Sequence, residues 1–169
     1  MWNADLAMPP RSRQREVLDE VRVFRSLSAE ERDALSQRMT AVEYLADQVI
    51  LGVGEHSDHL LVIGSGVVSA SIRDGDRLVE AGRMGPGEVL GIEGIIDEEE
   101  SLAEFRTLTG CVLYRIDKEQ VKSCLVQRGD VQTALSKLQR FRRQSRESLL
   151  MQKPVSINCL LYTSDAADE

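Results

Sequence analysis

The residues of this sequence that are suited to chemistry are two histidines, three cysteines and one run of four acids. His56 and His59 lie three positions apart, and no third ligand follows at a spacing that metal sites use, so we predict no metal site. The cysteines form no CxxC pair, which argues against a zinc knuckle or a disulfide framework. The acids of residues 97–100 lack the alternation and the glycine of a calcium loop. Because no nucleophile, base and orienting group come together, we predict that the protein is not an enzyme.

The composition defines the class of protein. Of the 169 residues, 42% are hydrophobic and 29% are charged, which is typical of one globular domain. The formal net charge of −7 argues against a nucleic-acid partner, although residues 137–153 carry a net charge of +5. We interpret that basic run as the solvated face of a helix. With no bilayer-spanning stretch and no leader, we expect a cytoplasmic protein, tethered to the inner membrane if a longer chain supplies the anchor.

Helices are predicted at the beginning of the chain, after a linker of residues 1–16. Val17, Val21 and Phe24 have the spacing of one helix face. Ser28 and Glu31 then fit a capping box, in which each side chain accepts a hydrogen bond from the other residue's backbone N–H, so a second helix begins there.

Between residues 42 and 116 the hydrophobic period changes to two. Seven short runs rich in β-branched residues are separated by glycine or aspartate. Asp74-Gly75 is the strongest hairpin signal among them. This pattern predicts an antiparallel roll or barrel.

Helical spacing returns at the end of the sequence. Asp117 is predicted to cap one helix together with Gln120, and Gly129 to end it. A longer helix follows from Asp130 to about Met151, with an apolar stripe that we expect to pack on the roll or on a partner helix: Val131, Leu135 and Leu138.

Three stretches carry a resemblance to a known family: residues 23–28, residues 54–68, and the turn and strand of residues 85–91. They resemble the cyclic nucleotide-binding domain, most of all the regulatory domain at the C-terminus of bacterial small-conductance mechanosensitive channels. The resemblance implies an α+β, mainly β fold for residues 17–153. In that fold an eight-stranded antiparallel β-roll, a double-stranded jelly roll, is flanked by N- and C-terminal helices.

The resemblance also implies where a ligand binds. The family's cassette reads F-G-E, then about eight residues, then R-[ST]-A; its arginine pairs with the phosphate and its glutamate accepts the ribose hydroxyl. Here Ile92 stands at the glutamate position with Glu93 one residue later, and Ser101 stands at the arginine position. The implied ligand-binding residues are Gly91, Ile92, Glu93, Gly94, Ser101, Leu102 and Ala103.

The cassette is therefore predicted to be degenerate. Four acids of residues 97–100 lie where the phosphate would rest, and carboxylates within a Debye length repel an anion. Arg106 is a candidate substitute or, equally, an outward-facing strand residue. We expect weak binding of cAMP or cGMP, at a roughly millimolar dissociation constant, and no other cofactor. Ser101→Arg is expected to strengthen it, and adding Ile92→Glu with neutralisation of Glu99 and Glu100 to strengthen it further.

We interpret the chain as a regulatory, ligand-sensing module of a membrane channel or signalling protein, with a homo-oligomer as an open possibility. Ligand capture in the family pulls the C-terminal helix over the pocket. Two alternatives stay open: the sensor domain of a catabolite-activator-like transcription regulator, which needs a helix-turn-helix after the long helix, and an interaction domain without a ligand. Residues 154–169 resemble translated sequencing-adapter read-through, so we expect this tail to be non-native.

Overall fold

The computed structural model describes residues 10–151 of the chain. The helices are α1 (Pro10–Glu20), α2 (Ala29–Ser36), α3 (Ile92–Ile96), α4 (Lys118–Gln127) and α5 (Gly129–Met151), with a 3₁₀ turn (Arg22–Phe24) after α1. The strands are β1 (Thr40–Tyr44), β2 (Val49–Leu51), β3 (His59–Ser65), β4 (Val68–Asp74), β5 (Arg77–Met84), β6 (Val89–Leu90), β7 (Ala103–Thr107) and β8 (Cys111–Asp117). None of these helices combines the length and the apolar composition needed to cross a membrane.

The eight strands form two antiparallel four-stranded sheets. The first has the order β1-β8-β3-β6 and the second the order β2-β7-β4-β5. Apolar side chains from both sheets pack together in one core cluster between them. The predicted eight-stranded antiparallel roll with helices before and after it is therefore confirmed. The structure adds α3, which lies between β6 and β7.

The strand β3 is buried on both of its faces. Leu61 and Ile63 belong to the core between the sheets, whereas Leu60 and Val62 belong to the core formed with the helices. Successive side chains of a strand point to opposite faces, so a continuous apolar run is what such a central strand requires. The first sheet is therefore the middle layer of the molecule, with the second sheet on one side and the helices on the other.

The start of the chain differs from the sequence prediction. Helix α1 begins at Pro10, inside the segment predicted to be a linker, and proline is well tolerated at a first helical position. It ends at Glu20, so Val21 and Phe24 lie beyond it. Both are buried, as is Val17, but the prediction of one continuous helix face is wrong because the chain turns after Glu20.

The predicted local signals at the helix ends are confirmed in part. The capping box of α2 is present, with the Glu31 N–H donating to Ser28 Oγ at 3.1 Å and the Ser28 N–H donating to Glu31 Oε1 at 2.9 Å. Asp117 is the N-cap residue of α4, but its side chain makes no capping hydrogen bond. Its carboxylate lies 3.2 Å from His59 Nε2 instead. Gly129 is the first residue of α5 rather than the end of α4.

The hairpin between β4 and β5 is present, but its turn is centred one residue later than predicted. Asp74 pairs with Arg77, so Gly75 and Asp76 are the central residues. Gly75 has a φ of 66°, whereas Asp76 is not among the residues with positive φ. Glycine at the first central position is typical of a type II′ turn, whereas an Asp-Gly pair at the two central positions would favour type I′.

The apolar stripe of α5 packs on the body of the domain. Val131 and Leu135 are fully buried, and Leu138 is partly buried against the same core cluster as Phe24 and Ile116. This confirms the packing predicted for the stripe and fixes the first half of α5 on the roll. Residues 154–169, which carry Cys159, lie outside the described residues.

We expect Leu135→Ala to lower the free energy of unfolding by about 2–5 kcal/mol, because it removes a fully buried side chain from the core. Leu78→Ala is the matched control, since that side chain is 46% exposed and should cost less than about 1 kcal/mol. Urea denaturation followed by circular dichroism measures both. Equal losses for the two variants would show that α5 is not part of the folded core.

Candidate ligand-binding site

A cavity of about 500 Å³ lies between the second sheet and α5. Its sheet side is largely apolar, and charged side chains enter it from β5, from α3 and the loop before β6, and from α5. The sheet side consists of Ala70, Ile72, Ala81, Gly82, Arg83, Met84, Ala103 and Phe105; the rest of the wall consists of Glu88, Glu93, Phe141, Arg142, Gln144, Ser145, Arg146 and Ser148. An apolar pocket of this size with a few polar groups is typical of small-molecule sites.

The short helix α3 is held tightly against the loop that precedes β3. Gly91, its N-cap residue, has a φ of 83°, and a Cβ there would lie 2.6 Å from the His59 carbonyl oxygen. A Cβ at Gly94 would collide with the backbone of Ser57. The two glycines therefore permit a close approach between two backbone segments, and neither forms part of the cavity wall.

The two residues after Gly91 face different surroundings. Ile92 is fully buried in the core with the helices, so it does not occupy the position of a ligand-binding side chain. Glu93 is half-buried and lies in the cavity wall. Among the described residues, none donates a hydrogen bond to the Glu93 carboxylate. This carboxylate can therefore accept a hydrogen bond from a ligand hydroxyl.

Ser101 is occupied by contacts within the protein. Its side chain is buried, its Oγ donates to the Ala103 carbonyl oxygen at 2.8 Å, and its N–H donates to the Glu55 carbonyl oxygen at 2.7 Å. Leu102 faces a second, more open cavity, while Ala103 lies in the wall of the first. Of the predicted site residues, the structure thus brings Glu93 and Ala103 into this cavity.

Arg106 points away from the cavity. It lies on β7 directly after Phe105, a wall residue, so its side chain is on the opposite face of the strand. Its guanidinium contacts Glu104 at 3.0 Å and Asp47 at 3.2 Å. Of the two roles that the sequence allowed, Arg106 therefore has that of an outward-facing strand residue.

The acidic run after α3 is engaged in contacts with the helices. Gln139 Nε2 of α5 donates to Asp97 Oδ2 at 2.6 Å, and Arg143 of α5 donates to Glu99 Oε2 at 2.8 Å. These contacts attach the loop to the second half of α5. The charge of Glu99, which the sequence suggests would repel an anion, is balanced by an arginine.

The other two acids face α4 and the loop before β3. Glu98 has a positive φ of 56° and contacts Lys122 at 2.8 Å and Lys118 at 3.2 Å. The hydrogen bonds from Lys122 and Lys118 lower the pKa of Glu98 to about 2. Glu100 lies 3.8 Å from His56 Nε2. The run thus links three parts of the chain rather than forming an isolated patch of negative charge.

Two arginines of α5 reach the cavity. Arg142 donates to the Val89 carbonyl oxygen at 2.7 Å, and burial lowers the pKa of its guanidinium, while Glu93 and Glu88 oppose that shift. Arg146 lies one turn further along the helix and borders both cavities. Burial is also the main cause that lowers the pKa of Arg146.

The arginines of α5 are not among the site residues predicted from the sequence, although a signal for them is present. The apolar stripe of Leu135 and Leu138 continues at helical spacing into Arg142 and Arg146. A buried helix face that changes from leucine to arginine indicates that the helix passes from a core to a cavity. The basic run was instead interpreted as a solvated face.

Within residues 10–151, no group of three or more His, Cys, Asp and Glu side chains is arranged to hold a metal ion. His59 contacts Asp117 and His56 contacts Glu100, so the two histidines face separate carboxylates. Cys111 is buried and Cys124 is half-buried, and both are free thiols.

A match to a protein-family model identifies the family of this chain. Residues 41–128, just over half of the chain, match the family model described as the cyclic nucleotide-binding domain. A comparison with curated proteins found no match.

Solved structures with the same fold include several kinase regulatory proteins. The regulatory domain of Toxoplasma gondii PKA with cAMP is 23% identical, with a TM-score of 0.70, 79% of this chain and 51% of that chain covered. The regulatory subunit of a cAMP-independent protein kinase A from Trypanosoma brucei, as a triple mutant bound to cAMP in the A site, is 22% identical (TM-score 0.68; 80% and 50% covered). The corresponding subunit from Trypanosoma cruzi, bound to guanosine, is 22% identical (TM-score 0.66; 76% and 47% covered). The chain thus spans about half the length of these structures.

The contact of Glu98 with two lysines predicts a pH-dependent contribution to stability. Because the pKa of Glu98 is lower in the folded protein than in the unfolded chain, the contact stabilises the fold fully above about pH 4.5 and is lost as the pH falls towards about 2. We expect Glu98→Gln to lower the Tm by no more than about 2 °C near neutral pH and to leave it unchanged near pH 2. Thermal denaturation across this pH range measures the difference. Glu43→Gln, at an exposed position of β1, should show no such pH dependence; a constant difference for Glu98→Gln would contradict the lowered pKa.

Proposed function

Because this chain belongs to the cyclic nucleotide-binding domain family, we propose that it is a regulatory module that binds a cyclic nucleotide weakly and transmits binding through α5. The observation that carries the proposal is the cavity between the second sheet and α5. A ligand in this cavity contacts the roll and the last helix together, so its binding energy depends on where α5 lies.

The ligands named for the structural neighbours support a nucleoside-containing ligand. The Toxoplasma gondii domain is described with cAMP, and the Trypanosoma cruzi subunit with guanosine, which has no phosphate. The cavity here offers an apolar surface for a base and the Glu93 carboxylate for a ribose hydroxyl. We therefore propose cAMP or cGMP as the ligand class, with the nucleoside part supplying much of the contact area.

We further propose that the phosphate-binding cassette is degenerate. Residues 97–102, between α3 and β7, contain four acids and no cation, and Ser101 is hydrogen-bonded to Ala103. The Trypanosoma brucei neighbour supports the importance of an arginine, since the mutant described with cAMP includes a threonine-to-arginine substitution. A loop without this cation loses one charge-assisted hydrogen bond to the phosphate, which is why we propose weak binding.

The two halves of α5 are attached differently, and this suggests how binding is transmitted. The first half is fixed by the buried side chains of Val131 and Leu135. The second half is attached by polar contacts, of Gln139 with Asp97 and of Arg143 with Glu99, beside the cavity. We propose that the second half moves away from the roll to exchange ligand while the first half remains in place.

We propose more specifically that this module is attached to a mechanosensitive channel. This proposal rests on the resemblance in the sequence. Under this assignment α5, or the segment before α1, would connect the module to a membrane protein. The upstream coding sequence of an intact gene tests it: predicted membrane spans would support a channel, and a different domain would refute this assignment without affecting the ligand-binding proposal.

We expect Ser101→Arg to raise the affinity for cAMP by about tenfold, because the charge-assisted contact that it supplies to the phosphate is partly offset by the burial of this position. Isothermal titration calorimetry with cAMP and with adenosine measures the change. Ser123→Arg, at an exposed position of α4, adds the same charge away from the cavity and is the control.

The structure argues against combining Ile92→Glu with Ser101→Arg. Ile92→Glu would place a carboxylate in the core, so we expect it to destabilise the fold rather than to help binding.

For Ser101→Arg, an equal gain in cAMP affinity in the control Ser123→Arg would show that the effect comes from the added charge alone and not from a contact with the phosphate. Micromolar binding of cAMP by the unmodified protein would refute the degenerate cassette.

We expect Glu99→Gln to increase hydrogen exchange in the second half of α5, because it removes the contact with Arg143. Raising the salt concentration should do the same in the unmodified protein, since the contact is exposed. Glu100→Gln is the control: it changes the same charge in the same loop, but Glu100 contacts His56 and not α5. Exchange rates that are unchanged in Glu99→Gln, or raised equally in both variants, would refute this role of the contact.

A further inference from the structure

The arginines of α5 differ in what they contact. Arg142 donates to the Val89 carbonyl oxygen, and Arg143 donates to Glu99. Arg140 is exposed to solvent. Arg146 is half-buried at the border of the two cavities, and it makes no hydrogen bond or salt bridge with any described residue.

The guanidinium of Arg146 has no partner among the described residues and its nitrogens remain accessible to solvent, so its N–H donors are available to a ligand at the border of the two cavities. Partial burial and the neighbouring charge of Arg143 lower the pKa of Arg146. A negatively charged group bound at this position would reduce both effects. The site is therefore suited to an anion.

We propose that Arg146 binds the anionic group of the ligand, so that the positive charge absent from the loop after α3 is supplied by the C-terminal helix. This inference rests on the proposed function and specifies how the ligand lies in the cavity. The phosphate would face α5, and the base would lie over the apolar side chains of the second sheet. Arginine is suited to this role because its planar guanidinium forms two parallel hydrogen bonds with a phosphate.

The charges around the cavity agree with this orientation. Glu93 lies in the same wall as Arg146 and interacts with it electrostatically, but the two side chains do not form a salt bridge. A ligand that carries both a hydroxyl and an anionic group could contact both, with its hydroxyl on Glu93 and its anion on Arg146. Three acids border the adjoining second cavity: Glu99 is neutralised by Arg143, Glu100 lies 3.8 Å from His56 Nε2, and Glu147 is exposed to solvent.

The test compares Arg146→Gln, Arg146→Lys and the control Arg140→Gln, which removes the same charge from an exposed position of the same helix. Each protein is titrated with cAMP and with adenosine, which lacks the phosphate. Binding is followed in two-dimensional NMR spectra that include the arginine Nε–Hε signals. This method measures dissociation constants in the millimolar range.

We expect the unmodified protein to bind cAMP more tightly than adenosine. Its Arg146 Nε–Hε signal should shift when cAMP is added and should not shift when adenosine is added. Arg146→Gln should weaken cAMP binding by about tenfold, to the affinity for adenosine, and leave adenosine binding unchanged. The cAMP affinity of Arg146→Lys should lie between those of the unmodified protein and Arg146→Gln, because lysine keeps the charge but cannot form the two parallel hydrogen bonds of arginine. Arg140→Gln should behave as the unmodified protein.

The other outcomes separate the inference from the proposed function. If cAMP binds more tightly than adenosine and Arg146→Gln behaves as Arg140→Gln, the inference is overturned and the proposed function stands. If both ligands bind equally, the cavity holds a nucleoside and does not recognise the anion, which also overturns the inference. If neither ligand binds, the proposed function fails and the inference fails with it.

Discussion

The attachment of α5 to the roll is the interaction on which the candidate site depends. Val131 and Leu135 are fully buried against the middle sheet and the N-terminal helices, and this fixes the direction in which the helix leaves the core. Continued along that direction, the helix passes over the second sheet and closes one side of a cavity. Without this packing the cavity would be an open groove on the sheet, with no cation from α5 near it.

The charge of the acidic loop, residues 97–100, is balanced in the fold by contacts that cannot be seen in the sequence. Counted as isolated charges, residues 97–100 would repel any anion placed beside α3. In the fold, Glu98 contacts two lysines and Glu99 contacts Arg143, so the loop carries much less uncompensated charge than its composition indicates. The basic run of α5 and the acidic run of the loop meet in one ion pair, between Arg143 and Glu99. The four acids of residues 97–100 and the net charge of +5 of residues 137–153, which are separate in the sequence, are partly brought together by folding.

The sequence was sufficient for the fold because its signals are local and periodic. Alternating strands, a capping box and a leucine stripe each depend on a few neighbouring residues, and all three are present in the structure. The site was predicted less well because it depends on residues far apart in the chain. Aligned by position, Ile92 occupies the place of a ligand-binding glutamate, yet it is in the core, and the change to arginine along α5 has meaning only once the cavity beneath the helix is known.

Moving the ligand's counter-charge from the loop to the last helix changes how binding is coupled to motion. When a loop holds the phosphate, α5 responds to the ligand through intermediate contacts. When Arg146 holds it, the binding energy acts directly on the element that moves, since this contact can form only while the second half of α5 lies over the cavity. Glu99 and Arg143 then stabilise the same closed arrangement without ligand, so that ligand affinity increases with the strength of that contact. A module of this kind can bind its ligand weakly and still respond fully, because the ligand has only to change the balance between two positions of one half-helix.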